Sequence, residues 1–130
     1  MSEENVAVVR RGLERFMKTG EVLEETFDVE SLEVHDHDIL DGRDYRGAEG
    51  FMQWLEDWSA ALEEWSLDPE EYIDAGERVI VVAKMHARGR GSGVEVDRQD
   101  ALLYELRDGL IVRIDYFNNR SEALTAAGLA

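Results

Sequence analysis

The strongest constraint on the fold is a change of hydrophobic period at Trp65. In AEGFMQWLEDWSAALEEW (48–65), Phe51, Leu55, Trp58, Leu62 and Trp65 recur at alternating steps of four and three. That spacing predicts a helix with one apolar stripe, and Glu56, Asp57, Glu63 and Glu64 turned to water. From Trp65 onward the period falls to two. WSLDPEEYIDAG (65–76), RVIVVAKMHARGRGSG (78–93), VEVDRQDALLYELRDG (94–109) and LIVRIDYFNN (110–119) read as strands. Ala75-Gly76 supplies one turn, and Asp108-Gly109 is a type I′ hairpin pair. Pro69 is the chain's one proline. It cannot donate to a ladder, which places the 65–76 strand at a sheet edge. A striped helix must lie on something, and the strands that follow supply the surface.

Upstream, Val6, Val9, Leu13, Phe16 and Met17 mark a first helix, capped by Ser2 and ended by Gly20. EVLEETF (21–27) reads as a second short helix, SLEVHDHDIL (31–40) as a strand or extended arm, and DGRDYRG (41–47) as a loop. SEALTAAGLA (121–130) closes the chain as a short helix, with Ser121 as cap and Gly128 past its end. Helices first and about four long antiparallel strands after them make a segregated α+β domain over residues 1–130. Gly89, Gly91 and Gly93 fall where long strands can bend, and a bent sheet under a helix makes a half-open cone.

Thirty acidic against fourteen basic residues give a net charge of −16. Such a surface repels phosphate backbones and anionic lipid, so nucleic-acid and membrane partners are not expected. The absence of cysteine excludes disulfides, thiolate metal sites and a cysteine nucleophile. No apolar run approaches the roughly 20 residues of a membrane span, and MSEENVAVVRRG lacks a secretory pattern. The cytoplasm is the expected compartment.

Chemistry concentrates at the end of the sheet. A plain two-residue hairpin at Asp108-Gly109 sets Leu102 across from Asp115, Tyr104 across from Arg113 and Asp100 across from Phe117. Those six residues would share one face. A carboxylate there is either a proton shuttle raised by partial desolvation, or a structural ion pair with Arg113 or another basic neighbour. His86 shares a face with Lys84 and Arg88. Turned inward, His86 is a general acid or base and Arg88 an anchor; turned outward, both are solvent or dimer residues. HDHD (35–38) puts His35 and His37 on one face, but no third metal ligand stands at a fitting spacing. It reads as a pocket-rim arm with His35 pointing in, and no metal is expected. The glycines of GRGSG precede a strand, not a helix, and so form no phosphate cradle. Trp54 lies one position off the stripe and can wall a pocket, whereas Trp58 and Trp65 read as packing.

DYRGAEGFMQWLEDW, YIDAGERVIVVAKMHARGRGSGVEVD and LRDGLIVRIDYFNNRSEALTAAGL, in that order, resemble the SnoaL-like group of the NTF2-like superfamily across nearly the whole chain. The resemblance implies a strongly curved antiparallel sheet wrapped around N-terminal helices and enclosing a pocket, often in a homodimer formed through the sheet's outer face. It implies a small apolar or cyclic ligand and no cofactor. RIDYFN is similar to the last-strand motif of limonene-epoxide hydrolases, whose aspartate belongs to the catalytic group, which would put Asp115 in the pocket. The earlier-strand Arg-x-Asp of those enzymes is replaced here by Lys84-Met85-His86, which counts against epoxide hydrolysis. Tyr104, Asp100 and Asp115 are analogues in kind of the ketosteroid isomerase tyrosine and aspartates. The enzyme reading is therefore cofactor-free isomerase, cyclase or hydrolase chemistry. Asp115 would be the base, with His86 or Tyr104 donating to an oxyanion, and His35, Trp54, Arg88, Asp100, Arg113 and Phe117 would line the ligand. The alternative is a binding or accessory domain with the same cavity and no turnover.

Overall fold

The structure, a computed structural model, describes residues 2–37 and 43–129, residue 2 by its backbone alone. The Ser2 cap and the 38–42 part of the arm and loop lie outside the described side chains. Helix α1 (Ser2–Thr19) is followed by a single 3₁₀ turn (Glu24–Thr26) in place of the expected 21–27 helix. Strands β1 (Glu33–Asp36) and β2 (Arg43–Arg46) form a short antiparallel pair, so the second half of the expected loop is a strand. Then come α2 (Gly47–Ala61), β3 (Leu62–Ala75), β4 (Arg78–Gly89), β5 (Glu95–Arg107), β6 (Leu110–Phe117) and α3 (Arg120–Ala126).

The tryptophan helix stops four residues short of the expected end. Leu62 is already extended, with φ −129° and ψ 145°, and a bulge at Glu64 (φ 54°) re-aims β3. Leu62 and Trp65 thus reach the core from a strand, although their spacing fits the helical stripe. The α3 cap is Asn119, whose side chain accepts from the Glu122 amide at 2.8 Å, rather than Ser121.

The strands form one sheet in the order β2-β1-β6-β5-β4-β3. All neighbours are antiparallel except β1 and β6, which run parallel, so the sheet is mixed where a pure meander was expected. β3, with Pro69, is an edge as its missing donor requires. The helices α1 and α2 cover the inner face over Val79, Val81, Met85, Leu102 and Ile114. A smaller cluster of Ile80, Val82, Leu103 and Phe117 on the outer face packs against Ala123 of α3.

The Asp108-Gly109 turn forms as read, with both residues at positive φ. The register beyond it differs from the plain hairpin. Leu106 pairs with Ile111, but Glu105 pairs with Arg113, leaving Val112 as an extra residue on β6. This bulge lets Ile111 and Ile114, three positions apart, both face the interior, which a regular strand cannot do. It also shifts everything downstream by one: Leu103 pairs with Asp115 and Leu102 with Tyr116. The expected common face is therefore split. Asp100, Leu102 and Tyr104 point inward, while Arg113, Asp115 and Phe117 lie on the outer face.

Candidate functional site

Between α1, α2 and the inner face of the sheet lies a cavity of about 70 Å³. Eight aromatic residues line it: Phe16, Phe27, Phe51, Trp54, Trp58, Trp65, Tyr104 and Tyr116. Aliphatic side chains of α1, β5 and β6 complete the wall, among them Leu13, Leu102 and Ile114. Among the described lining residues there is no carboxylate, imidazole, lysine or arginine. Phe16, Met17, Val22, Leu23 and Phe27 are only half-buried and form the rim toward solvent. Trp54 walls the cavity as expected, and Trp58 and Trp65, read as packing, line it as well.

Tyr104 lines the cavity, and its phenol is deeply buried. Burial, reinforced by the neighbouring Tyr72 phenol, holds its pKa far above the usual tyrosine value, so it is a neutral donor throughout the working range. Tyr116 presents its ring to the cavity and spends its hydroxyl on the fully buried Asp100 carboxylate, which also accepts from Arg98 Nε at 2.7 Å. Behind the tryptophans, Asp36 Oδ2 accepts from both Trp54 Nε1 and Trp58 Nε1, each at 2.8 Å. Asp100 and Asp36 thus frame the cavity from behind its aromatic wall. Asp36 and Tyr116 went unselected in the sequence, although a signal exists: Leu32, Val34 and Asp36 are in phase, and all three are at most 2% exposed.

The remaining expected site residues stand elsewhere. His35 lies on the outer face, held between Asp44 at 2.7 Å and Glu33 at 3.0 Å, because the inward positions of β1 are Val34 and Asp36. His86 pairs with Asp97 and Arg88 with Glu64 on the exposed side of β4, since Met85 and Ala87 take the inward positions. Asp115 is 6% exposed, as a buried carboxylate, but it does not face the cavity under α2. Its Oδ2 accepts from Arg113 Nε at 2.8 Å, and its Oδ1 from Arg113 Nη2 at 3.1 Å and His37 Nε2 at 2.8 Å. Burial pushes its pKa up, and the Arg113 and His37 hydrogen bonds more than reverse this, leaving it below the usual carboxylate value.

A group depressed in the folded state stabilises above its unfolded pKa, about 3.9, and that stability disappears as pH falls through the folded value. Asp115→Asn is expected to cost on the order of 2 kcal/mol at neutral pH, as for hydrogen bonds to a charged group. The difference from wild type should shrink steadily below about pH 4. Urea midpoints measured at several pH values check this; a gap that stays constant down to acid pH would refute the ion-pair account.

The open mixed sheet over two helices, with a hollow between them, is an NTF2-like fold. The sequence profile of the SnoaL-like domain family matches residues 6–114, and the chain belongs to that family. A comparison with curated proteins gives no match. Among solved structures, an NTF2-like protein of unknown function from Burkholderia pseudomallei K96243 is 17% identical, with a TM-score of 0.77 over 94% of this chain and 95% of that one. A protein from Jannaschia sp. CCS1, provisionally assigned as a SnoaL-like polyketide cyclase, is 22% identical, with a TM-score of 0.77 over 99% and 94%. A hypothetical protein with a ketosteroid isomerase-like fold from Catenulispora acidiphila DSM 44928, solved in complex with trimethylamine, is 21% identical, with a TM-score of 0.73 over 95% and 93%. At these identities the likeness is one of fold. No helix among the described residues is long and apolar enough to cross a membrane.

Proposed function

We propose that the cavity binds a small, mostly apolar molecule carrying one hydrogen-bond acceptor, which meets the Tyr104 hydroxyl. The observation that carries this is a lining of eight aromatics with no titratable carboxylate or imidazole among its described residues. The same lining favours binding without turnover, because acid/base chemistry needs a base within hydrogen-bond reach of the substrate. A cavity of about 70 Å³ is roughly half the ~150 Å³ that accommodates benzene. As it stands it admits a ligand of a few heavy atoms, and a ring requires the half-buried rim side chains Phe16 and Met17 to move outward.

A second reading follows from the aromatic count. An aromatic cage in a protein of net charge −16 also suits a methylated ammonium, which binds through cation–π attraction. The trimethylamine in the Catenulispora acidiphila complex is a molecule of that kind.

All three tryptophans of the chain line the cavity, so its occupancy is readable from intrinsic fluorescence. Titration with cyclopentanone should give a saturable change in emission, weakened about tenfold in Tyr104→Phe, as for one lost buried hydrogen bond. Saturation by trimethylammonium with no effect of Tyr104→Phe would favour the cation reading. No saturable change with either probe would refute both.

A further inference from the structure

Besides the interior, the outer face carries an open cleft of about 400 Å³ where β5, β6 and α3 meet, bordered by His37, Arg78, Leu103, Glu105, Arg113, Asp115 and Phe117. Its volume falls in the roughly 300–1,000 Å³ range of small-molecule sites, whereas the interior cavity falls below it. The cleft holds the ordered pair His37–Asp115. The His37 amide donates to the Tyr116 carbonyl at 2.9 Å, fixing the backbone at the end of β1. Its imidazole stacks on the Phe117 ring, with centroids 4.5 Å apart and planes 2° from parallel. Its Nε2 meets Asp115 Oδ1 at 2.8 Å.

Asp115 is held as a carboxylate by Arg113 and can only accept, so Nε2 carries the proton. That assigns Nδ1 as the unprotonated nitrogen of neutral His37, and among the described residues Nδ1 has no partner. The His37 side chain is 43% exposed, within reach of an incoming molecule. A base oriented by a buried carboxylate, in a cleft with an apolar floor of Leu103, Phe117 and Ala126, has two of the three parts of a nucleophile-activating triad. The third part, the group to be deprotonated, must come from the ligand.

We propose that this cleft is a second ligand site, in which His37 is a general base toward the acidic hydroxyl of a small phenol or similar cyclic enol. The ring lies on Leu103 and Phe117. The ligand O–H bond breaks and an Nδ1–H bond forms on His37, with the electron pair left on the ligand oxygen. The Arg78 guanidinium, which borders the cleft with its ion-pair partner Glu105 3.7 Å away, turns from that carboxylate to the resulting anion. Asp115 is a positioning residue that sets the tautomer and stabilises the imidazolium.

The test uses the full chain and 4-nitrophenol, whose anion absorbs in the visible. Below the probe's own pKa, adding protein should raise the anion band saturably, with one probe per chain. His37→Gln should abolish the rise. Asp115→Asn should shift the pH of half-ionisation of bound probe toward that of free probe, an effect a merely structural contact would not have. Circular dichroism melts of both variants establish that they are folded, and His37→Phe, which keeps the stack on Phe117, replaces His37→Gln if it is not. A band that does not grow, or grows equally in the folded His37 variant, overturns the proposal. So does loss of the signal in Tyr104→Phe together with its retention in His37→Gln, which would place the probe in the interior cavity.

Discussion

Asp36→Ala is expected to destabilise the protein by about 2–6 kcal/mol, the cost of leaving two buried indole donors without their shared acceptor. The side chain is 2% exposed, and one of its oxygens accepts from two indole N–H groups one helical turn apart on α2. Alanine leaves both donors buried without that acceptor, at roughly 1–3 kcal/mol each. A domain of this kind has about 5–15 kcal/mol in all, so the loss takes a large share of it. Asp36→Asn keeps an acceptor oxygen and should cost about half as much. Urea denaturation followed by far-ultraviolet circular dichroism gives the difference directly. An alanine variant within 1 kcal/mol of wild type would mean that α2 is seated by packing alone. The same contact links stability to the shape of the cavity, because Trp54 and Trp58 are cavity walls whose indole N–H groups Asp36 holds.

How much of this was legible follows from which signals are periodic. The α1 stripe, the strands from β3 to β6, the edge position of Pro69 and the Asp108-Gly109 turn each have a local cause, and each is found in the structure. The end of α2 was not legible, because Leu62 and Trp65 satisfy a helical stripe and an inward strand face equally well. Strand β2 is four residues long, and it is held by a partner and by α2, where Asp57 accepts from Tyr45, Gln53 and Arg43, rather than by any pattern of its own. The parallel seating of β1 on β6 depends on residues some eighty positions apart, and no period reports such a pairing. The candidate site suffered most. Tyr104, Asp100 and Trp54 were selected and stand at or just behind the cavity wall, but Asp115, Arg113 and Phe117 were assigned to the wrong side of the sheet. One unpaired residue accounts for all three errors.

That residue sets up the second prediction. Deleting Val112 makes Leu106–Ile111 and Glu105–Arg113 successive pairs of a plain two-residue hairpin, so every residue beyond the turn keeps its partner: Ile114 and Tyr116 stay inward, Arg113 and Asp115 stay outward. What is lost is one side chain, 4% exposed, and the local bend of the bulge. Burial of such a side chain is worth about 1.5–3 kcal/mol, so the deletion variant is expected to unfold cooperatively in urea, a few kcal/mol below wild type. Val112→Ala keeps the extra residue and trims only its side chain, at a cost of about 2 kcal/mol. A deletion variant with no cooperative transition would mean that the extra backbone unit is itself needed for the sheet to close over the helices. One with a stability near that of Val112→Ala would mean that the faces of β6 follow from its pairing with β5, and that the bulge is an insertion the hairpin accommodates.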